Sequence, residues 1–143
     1  MTDENNRILQ IKEIKVFAKL DNEDIVCDFI ENILEHYVVD FKFKFKLELV
    51  MREIFSHLIK YSGEYIKIRC MLILNPLRLS ISFQDKGEKF NPLVSLSGGD
   101  GVDEIVSGGF SMHLIRNNVD NIYYDYTEDG TNVLTIEKLF NVS

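Results

Sequence analysis

The chain has 143 residues, of which 45% are hydrophobic and 27% are charged, which is enough for one packed domain and too few for two. We therefore expect a single domain over residues 1–143. The formal net charge of -7 argues against a nucleic-acid partner, because neutralising phosphates needs clustered Lys and Arg. The sequence holds no long apolar run and begins MTDENNR, so we expect a cytoplasmic protein that does not contact the membrane.

The first half of the chain predicts one strand and two helices. Residues 8–18 alternate loosely between β-branched and charged types, which predicts a strand. After the N-cap types Asp21 and Asn22, helical spacing predicts an amphipathic helix over Ile25, Val26, Phe29, Ile30, Ile33, Leu34 and Tyr37. The run FKFKFK at 41–46 alternates as a strand does, yet helical spacing continues directly from Leu47 to Tyr61. We predict a second helix that begins between residues 42 and 47.

The second half predicts two pairs of strands separated by a glycine-rich loop and a helix. Apolar residues alternate from Tyr65 to Leu74, the Asn75-Pro76 dipeptide interrupts them, and the alternation resumes from Leu77 to Asp85. Residues 86–109 contain most of the glycines, which is typical of a ligand-binding loop. The predicted later elements are a helix over 110–119 and a hairpin of strands 122–126 and 133–140 around Asp129-Gly130.

This order of elements predicts the fold class. Strands that follow one another through short turns favour a mixed, mostly antiparallel sheet, and about three helices must then cover one of its faces. We expect an α+β fold built as a two-layer α/β sandwich. A ligand can bind between the helices and the sheet of such a sandwich.

Three short patterns could carry chemistry. Glu53 and His57 lie one helical turn apart, so both side chains can reach one point, where Glu53 could act as a general base. By spacing alone, a solvated Glu beside a partly exposed His is the simpler interpretation. Asp85-x-Gly87 could bind an exocyclic amine or could be an ordinary turn. Ser107-Gly108-Gly109 before a helix could hold a phosphate or could be a flexible helix entry.

Four segments, in their order along the chain, resemble a known family. They are LELVMREIFSHLIKYS, ISFQDKGEKFNP, SGGFSMHLIRNNVD and DGTNVLTIEK. Together they resemble the four conserved boxes of the histidine-kinase-type (Bergerat) ATP-binding domain, in its small anti-sigma factor and serine/threonine kinase branch. The resemblance covers about residues 14–140 and implies the Bergerat fold with ATP as cofactor.

The resemblance also implies residue roles. Glu53 matches the catalytic base that activates the hydroxyl nucleophile. The expected nucleotide-binding residues are Asp85 and Gly87 at the adenine, Asn91 in the continuation of that box, Gly108, Gly109, Ser111 and Met112 in the second glycine box, and Thr131 at the adenine-bound water and Asp85.

Two positions depart from the family pattern. His57 stands where the family has its magnesium-binding Asn, and Ser111 replaces the second Gly of a G-x-G. Magnesium prefers oxygen ligands, whereas imidazole suits zinc, copper, iron or nickel, so His57 is a poor metal ligand for magnesium. Losing the metal would remove charge neutralisation from a phosphoryl transfer.

The family implies an ATP-binding anti-sigma regulatory factor of a bacterial partner-switching system. Its expected partners are a sigma factor and an anti-sigma-factor antagonist, a serine of which it would phosphorylate, and homodimerisation is implied as well. The alternative is a catalytically inactive ATPase-fold protein that acts only through protein contacts, because His57 impairs the use of Mg-ATP. A third hypothesis is that His57 recruits manganese or zinc together with the nucleotide.

Overall fold

A computed structural model of the chain describes residues 7–37, 39–93 and 112–140. Within them lie five strands and three α-helices, in the order β1 (Ile8–Phe17), α1 (Glu23–Leu34), α2 (Phe41–Leu58), β2 (Tyr65–Ile73), β3 (Arg78–Asp85), α3 (Met112–Asn118), β4 (Asn121–Tyr126) and β5 (Asn132–Leu139). The strands form one sheet in the order β1-β2-β3-β5-β4. All four neighbouring pairs are antiparallel, so this described sheet lacks the parallel pair that a mixed sheet would contain.

The helices pack on one face of this sheet, which confirms the α+β sandwich. Alternate residues of β2 are buried, as a strand with one covered face requires, whereas the central strand β3 is buried continuously from Leu79 to Phe83. The largest fully buried side chains come from both layers: Phe55, Phe83, Ile30, Leu34, Leu47, Met51, Ile54, Ile66, Ile68, Leu79 and Ile81. No helix in the described part of the chain is long and apolar enough to cross a membrane.

Helix α2 begins at Phe41, one residue before the predicted range of 42–47. The carboxylate of Asp40 caps it, since Asp40 Oδ1 accepts a hydrogen bond of 2.8 Å from the Phe43 amide. Helical winding then places Phe43 in the core and leaves Phe45 outside, at 53% exposure. The alternating FKFKFK segment is therefore helical, because the cap and the following apolar stripe outweigh a local strand pattern.

Helix α1 is also shorter than its apolar pattern predicts. It follows a 3₁₀ turn and has Asn22 at its N-cap. The side-chain amide of Asn22 donates to the carbonyl of Phe17 and makes no capping hydrogen bond to the helix. The helix ends at Leu34, three residues before Tyr37, whose hydroxyl donates to Gln10 Oε1 at 2.8 Å. Tyr37 thus ties the chain after α1 to the edge strand β1.

Candidate functional site

The candidate site centres on Asp85, the last residue of β3. Its side chain is buried, at 5% exposure, and its Oδ1 accepts hydrogen bonds from the Gly87 amide at 2.8 Å and from Asn132 Nδ2 at 3.2 Å. Burial raises the pKa of the Asp85 carboxyl, and the two hydrogen bonds act in the opposite direction. The two hydrogen bonds therefore fix the orientation of the Asp85 carboxyl group, which can accept hydrogen bonds at a position with little access to solvent.

Asn132, the first residue of β5, organises the surroundings of Asp85 and was missed by the sequence analysis. Besides Asp85, its Nδ2 donates to the carbonyl of Glu88 at 2.8 Å. Its Oδ1 accepts from the Phe90 amide at 3.1 Å and from the hydroxyl of Tyr124. The buried amide thus joins the end of β3, the following segment and the β4–β5 hairpin. The available signal was an Asn between the predicted Asp129-Gly130 turn and the strand predicted from residue 133.

Thr131 lies in the β4–β5 turn and does not contact Asp85 directly. Its hydroxyl donates to Asp129 Oδ1 at 3.0 Å, and its amide donates to Thr127 Oγ1 at 3.1 Å. Asp85 pairs with Asn132 across the β3–β5 register, so Asn132 makes the contact that the resemblance assigns to Thr131. The predicted role of Thr131 at an adenine-bound water stays a prediction.

Gly87 is required by the protein's own backbone. A Cβ atom built on Gly87 would lie 2.2 Å from the carbonyl oxygen of Tyr61 and 2.7 Å from backbone atoms of Ser62. The segment after β3 therefore presses directly on the chain that leaves α2. The resemblance places Gly87 at the adenine, whereas the close approach of Tyr61 and Ser62 is a sufficient reason for this glycine without a ligand.

Phe90 fills the space between α2 and the sheet beside Asp85. Its ring stacks on that of Tyr61, with centroids 4.2 Å apart and planes at 16°. A cavity of only about 10 Å³ remains there, with walls that include Tyr61, Asp85, Phe90 and Tyr124. This volume holds about one water molecule, so a purine can enter the space between α2 and the sheet beside Asp85 only if Phe90 moves.

The other predicted nucleotide-binding residues are placed differently. Asn91 Oδ1 accepts a hydrogen bond of 2.9 Å from the Leu93 amide. Met112, the first residue of α3, is 6% exposed and belongs to the hydrophobic core. Gly108, Gly109 and Ser111 lie outside the described residues. Their predicted contacts with phosphate stay predictions.

Glu53 and His57 meet on α2, as their spacing predicts. His57 Nε2 lies 2.9 Å from Glu53 Oε2, and the two side chains are only 16% and 21% exposed. The interpretation as a solvated Glu beside a partly exposed His does not describe this pair. The Glu53 carboxylate is already engaged by an imidazole, which lowers its availability as a base.

The described residues do not form an evident metal centre. No group of three or more His, Cys, Asp or Glu side chains within them could hold a metal ion. One carboxylate and one imidazole, from Glu53 and His57, are a poor set for magnesium, which prefers an octahedron of oxygen ligands.

The chain matches a known protein family. A family model described as "Histidine kinase-like ATPase domain" matches residues 16–138, from β1 to β5. The match includes the segment around the Glu53–His57 pair and the segment around Asp85 and Asn132. No curated protein matches the chain significantly.

Proposed function

Because the chain belongs to the histidine kinase-like ATPase domain family, we propose that it is an ATP-binding anti-sigma regulatory factor of a bacterial partner-switching system. ATP binding is the part that the family itself supports. The anti-sigma role and the two protein partners, a sigma factor and an antagonist of the anti-sigma factor, rest on the resemblance of the four boxes. In this role the nucleotide governs which partner the protein holds.

The observation that carries the proposal is the environment of Asp85. A carboxylate has about four acceptor positions, and Gly87 and Asn132 occupy only part of this capacity. An exocyclic amine of adenine can therefore donate to Asp85. Tyr61 and Tyr124 supply aromatic walls for the base once Phe90 has moved aside.

A kinase reaction would use Glu53 as the base that accepts the proton of a serine hydroxyl. In the structure, Glu53 Oε2 lies 2.9 Å from His57 Nε2, so this proton transfer competes with the contact between the two side chains. The same pair favours the second candidate function, a catalytically inactive protein that acts only through protein contacts. Magnesium, where bound, would neutralise charge on the phosphates, and His57 is a poor ligand for it.

Calorimetric titration tests ATP binding. We expect ATP to bind to the wild-type protein and GTP to bind more weakly, because guanine offers a carbonyl oxygen where adenine offers the amine. Asp85→Asn should weaken ATP binding by about tenfold or more, since an ionised acceptor is lost. Asp28→Asn, which changes an exposed carboxylate on α1, is the matched control. Equal affinity of the wild-type and Asp85→Asn proteins for ATP would contradict the assignment of Asp85.

Labelled ATP and a candidate antagonist protein separate the two functions. Formation of phosphoserine on the antagonist supports the kinase, whereas stable binding of both proteins without phosphoserine supports the interaction module. His57→Asn should enlarge the rise in melting temperature that Mg-ATP causes, because an amide oxygen replaces imidazole at the metal position. An unchanged or smaller rise would contradict the view that His57 limits metal use.

Metal substitution is tested with the wild-type protein. Stronger ATP binding with manganese or zinc than with magnesium would support recruitment of the softer ions by His57. Equal binding with all three ions would exclude it.

A further inference from the structure

A second and much larger cavity lies at the same end of the sheet, on the face that the helices leave open. It has a volume of about 480 Å³, and Lys15, Tyr65, Lys67 and Gln84 form part of its wall. Their neighbours Val16, Ile66 and Phe83 are buried against the helices. Since side chains alternate along a strand, Lys15, Tyr65, Lys67 and Gln84 point to the opposite face, whereas Asp85, which also lines the cavity, lies on the side of Phe83.

The basic floor of this cavity is a row of side chains across three strands. Lys15 of β1 lies directly opposite Lys67 of β2, and Lys67 lies opposite Gln84 of β3. Side chains paired in this way have Cβ atoms about 4.5–5.5 Å apart, and like charges at such positions destabilise a sheet. The protein thus maintains a local repulsion that an anion in the cavity would relieve.

Neither lysine is neutralised by an ion pair with a described residue. The Lys15 ammonium lies over the ring of Tyr65, 4.5 Å from its centroid. Glu13, the acidic residue next to this row on β1, is paired with Arg69. Two positive charges therefore face one cavity without a bonded carboxylate.

The carboxylates that line the cavity have other partners or lie exposed on its wall. Asp129 Oδ2 accepts from Lys86 Nζ at 3.1 Å, and its contacts with hydroxyl groups and this lysine lower its pKa to about 2. Asp85 is held by Gly87 and Asn132, as described above. Glu64 is solvent-exposed.

We propose that this cavity binds the phosphate group of a small anion, with Lys15 and Lys67 neutralising its two negative charges. Lysine recognises phosphate as a point charge, and two lysines from one row match the charge of a phosphate dianion. The volume is within the usual range for small-molecule sites, about 300–1,000 Å³, and leaves room for an organic part. Lys15 and Lys67 lie on the face opposite Phe90 and take no part in the proposed ATP site, although Asp85 and Thr131, which the resemblance assigns to the nucleotide, also line this cavity.

The test is a calorimetric titration with glycerol 3-phosphate, inorganic phosphate and glycerol, in chloride buffer of constant ionic strength. We expect glycerol 3-phosphate to bind and to raise the melting temperature. Lys67→Met, which keeps the length of the side chain, should weaken binding by about tenfold or more, since a hydrogen bond to a charged group is lost. The same variant without ligand should melt no lower than the wild-type protein. Lys12→Met, an exposed lysine of β1 outside the cavity, is the matched control.

The three ligands give distinct answers. Tighter binding of glycerol 3-phosphate than of inorganic phosphate identifies a small phosphorylated molecule as the source, and equal binding identifies free phosphate. The proposal is overturned if neither phosphate ligand binds, if glycerol binds equally well, or if Lys67→Met binds as tightly as the wild-type protein. A loss of affinity in Lys12→Met equal to that in Lys67→Met would also overturn it, because binding would then follow net charge alone.

Discussion

Replacing Phe90 with alanine should open the space beside Asp85 and tighten ATP binding. The Phe90 ring is half-buried and stacks on Tyr61, with ring centroids 4.2 Å apart. Only about 10 Å³ remains free around it, so the wild-type protein must give up this packing before a base can enter. In Phe90→Ala that packing is already absent from the nucleotide-free state.

The size of the effect follows from the packing that is lost. Truncating a fully buried Phe to Ala costs about 3–5 kcal/mol, and an aromatic stack contributes about 0.5–1.5 kcal/mol of such an amount. For a half-buried ring we expect the free energy of unfolding to fall by about 2 kcal/mol. If ATP binding requires the ring to leave, the same amount returns as affinity, which is about 30-fold tighter binding.

Two measurements are needed. Urea denaturation without nucleotide gives the loss of stability, and calorimetric titration with ATP gives the change in affinity. Phe45→Ala, which removes an exposed ring on α2, should leave the affinity unchanged. Weaker binding by Phe90→Ala would refute the reasoning, because the ring would then contact the bound base. Absence of binding by both the wild-type protein and Phe90→Ala would instead contradict the proposed ATP site.

Three further predictions concern the surroundings of Asp85. Gly87→Ala should destabilise the protein by about 3 kcal/mol or more in urea denaturation, because its Cβ would lie 2.2 Å from a backbone oxygen. Asn132→Ala should cost about 3 kcal/mol, since several buried groups lose their partner. Melting curves between pH 3 and pH 6 should separate two carboxylates. The pKa of Asp85 is raised above its ordinary value of 3.8 in the folded protein. The free energy of unfolding should therefore fall as the pH rises from 3.8 through the pKa that Asp85 has in the folded state. The pKa of Asp129, lowered to about 2, makes stability fall as the pH drops from 3.8.

The glycine prediction and the pH prediction have matched controls. Gly63→Ala should be nearly neutral, because its Cβ would be 3.7 Å from the nearest atoms. If Gly63→Ala lowers the free energy of unfolding as much as Gly87→Ala does, the loss of a flexible glycine, and not the clash, decides the outcome. For the pH series, Asp85→Asn should flatten the first trend and Asp129→Asn the second. The same pH profile in both variants would contradict the opposite pKa shifts.

The sequence by itself determined the types and order of the elements and two features of the site. Apolar periodicity is a local property, so it predicted the strands and helices that the structure contains. It also brought Glu53 and His57 together, because residues four apart on a helix always face the same side. Asp85 was correctly expected at the end of a strand. Family membership followed from four short segments in the right order.

Only the tertiary structure decided which distant residues meet. The antiparallel register of β3 and β5 places Asn132, and not Thr131, beside Asp85. The register of β1 and β2 sets Lys15 opposite Lys67, and the packing of two loops makes Gly87 necessary. The stacking of Phe90 on Tyr61, which fills the space beside Asp85, is likewise a contact between segments that are distant in sequence. Spacing along a chain fixes neighbours within one element, but a shift of one residue between strands reverses every side chain, and no local pattern records that choice.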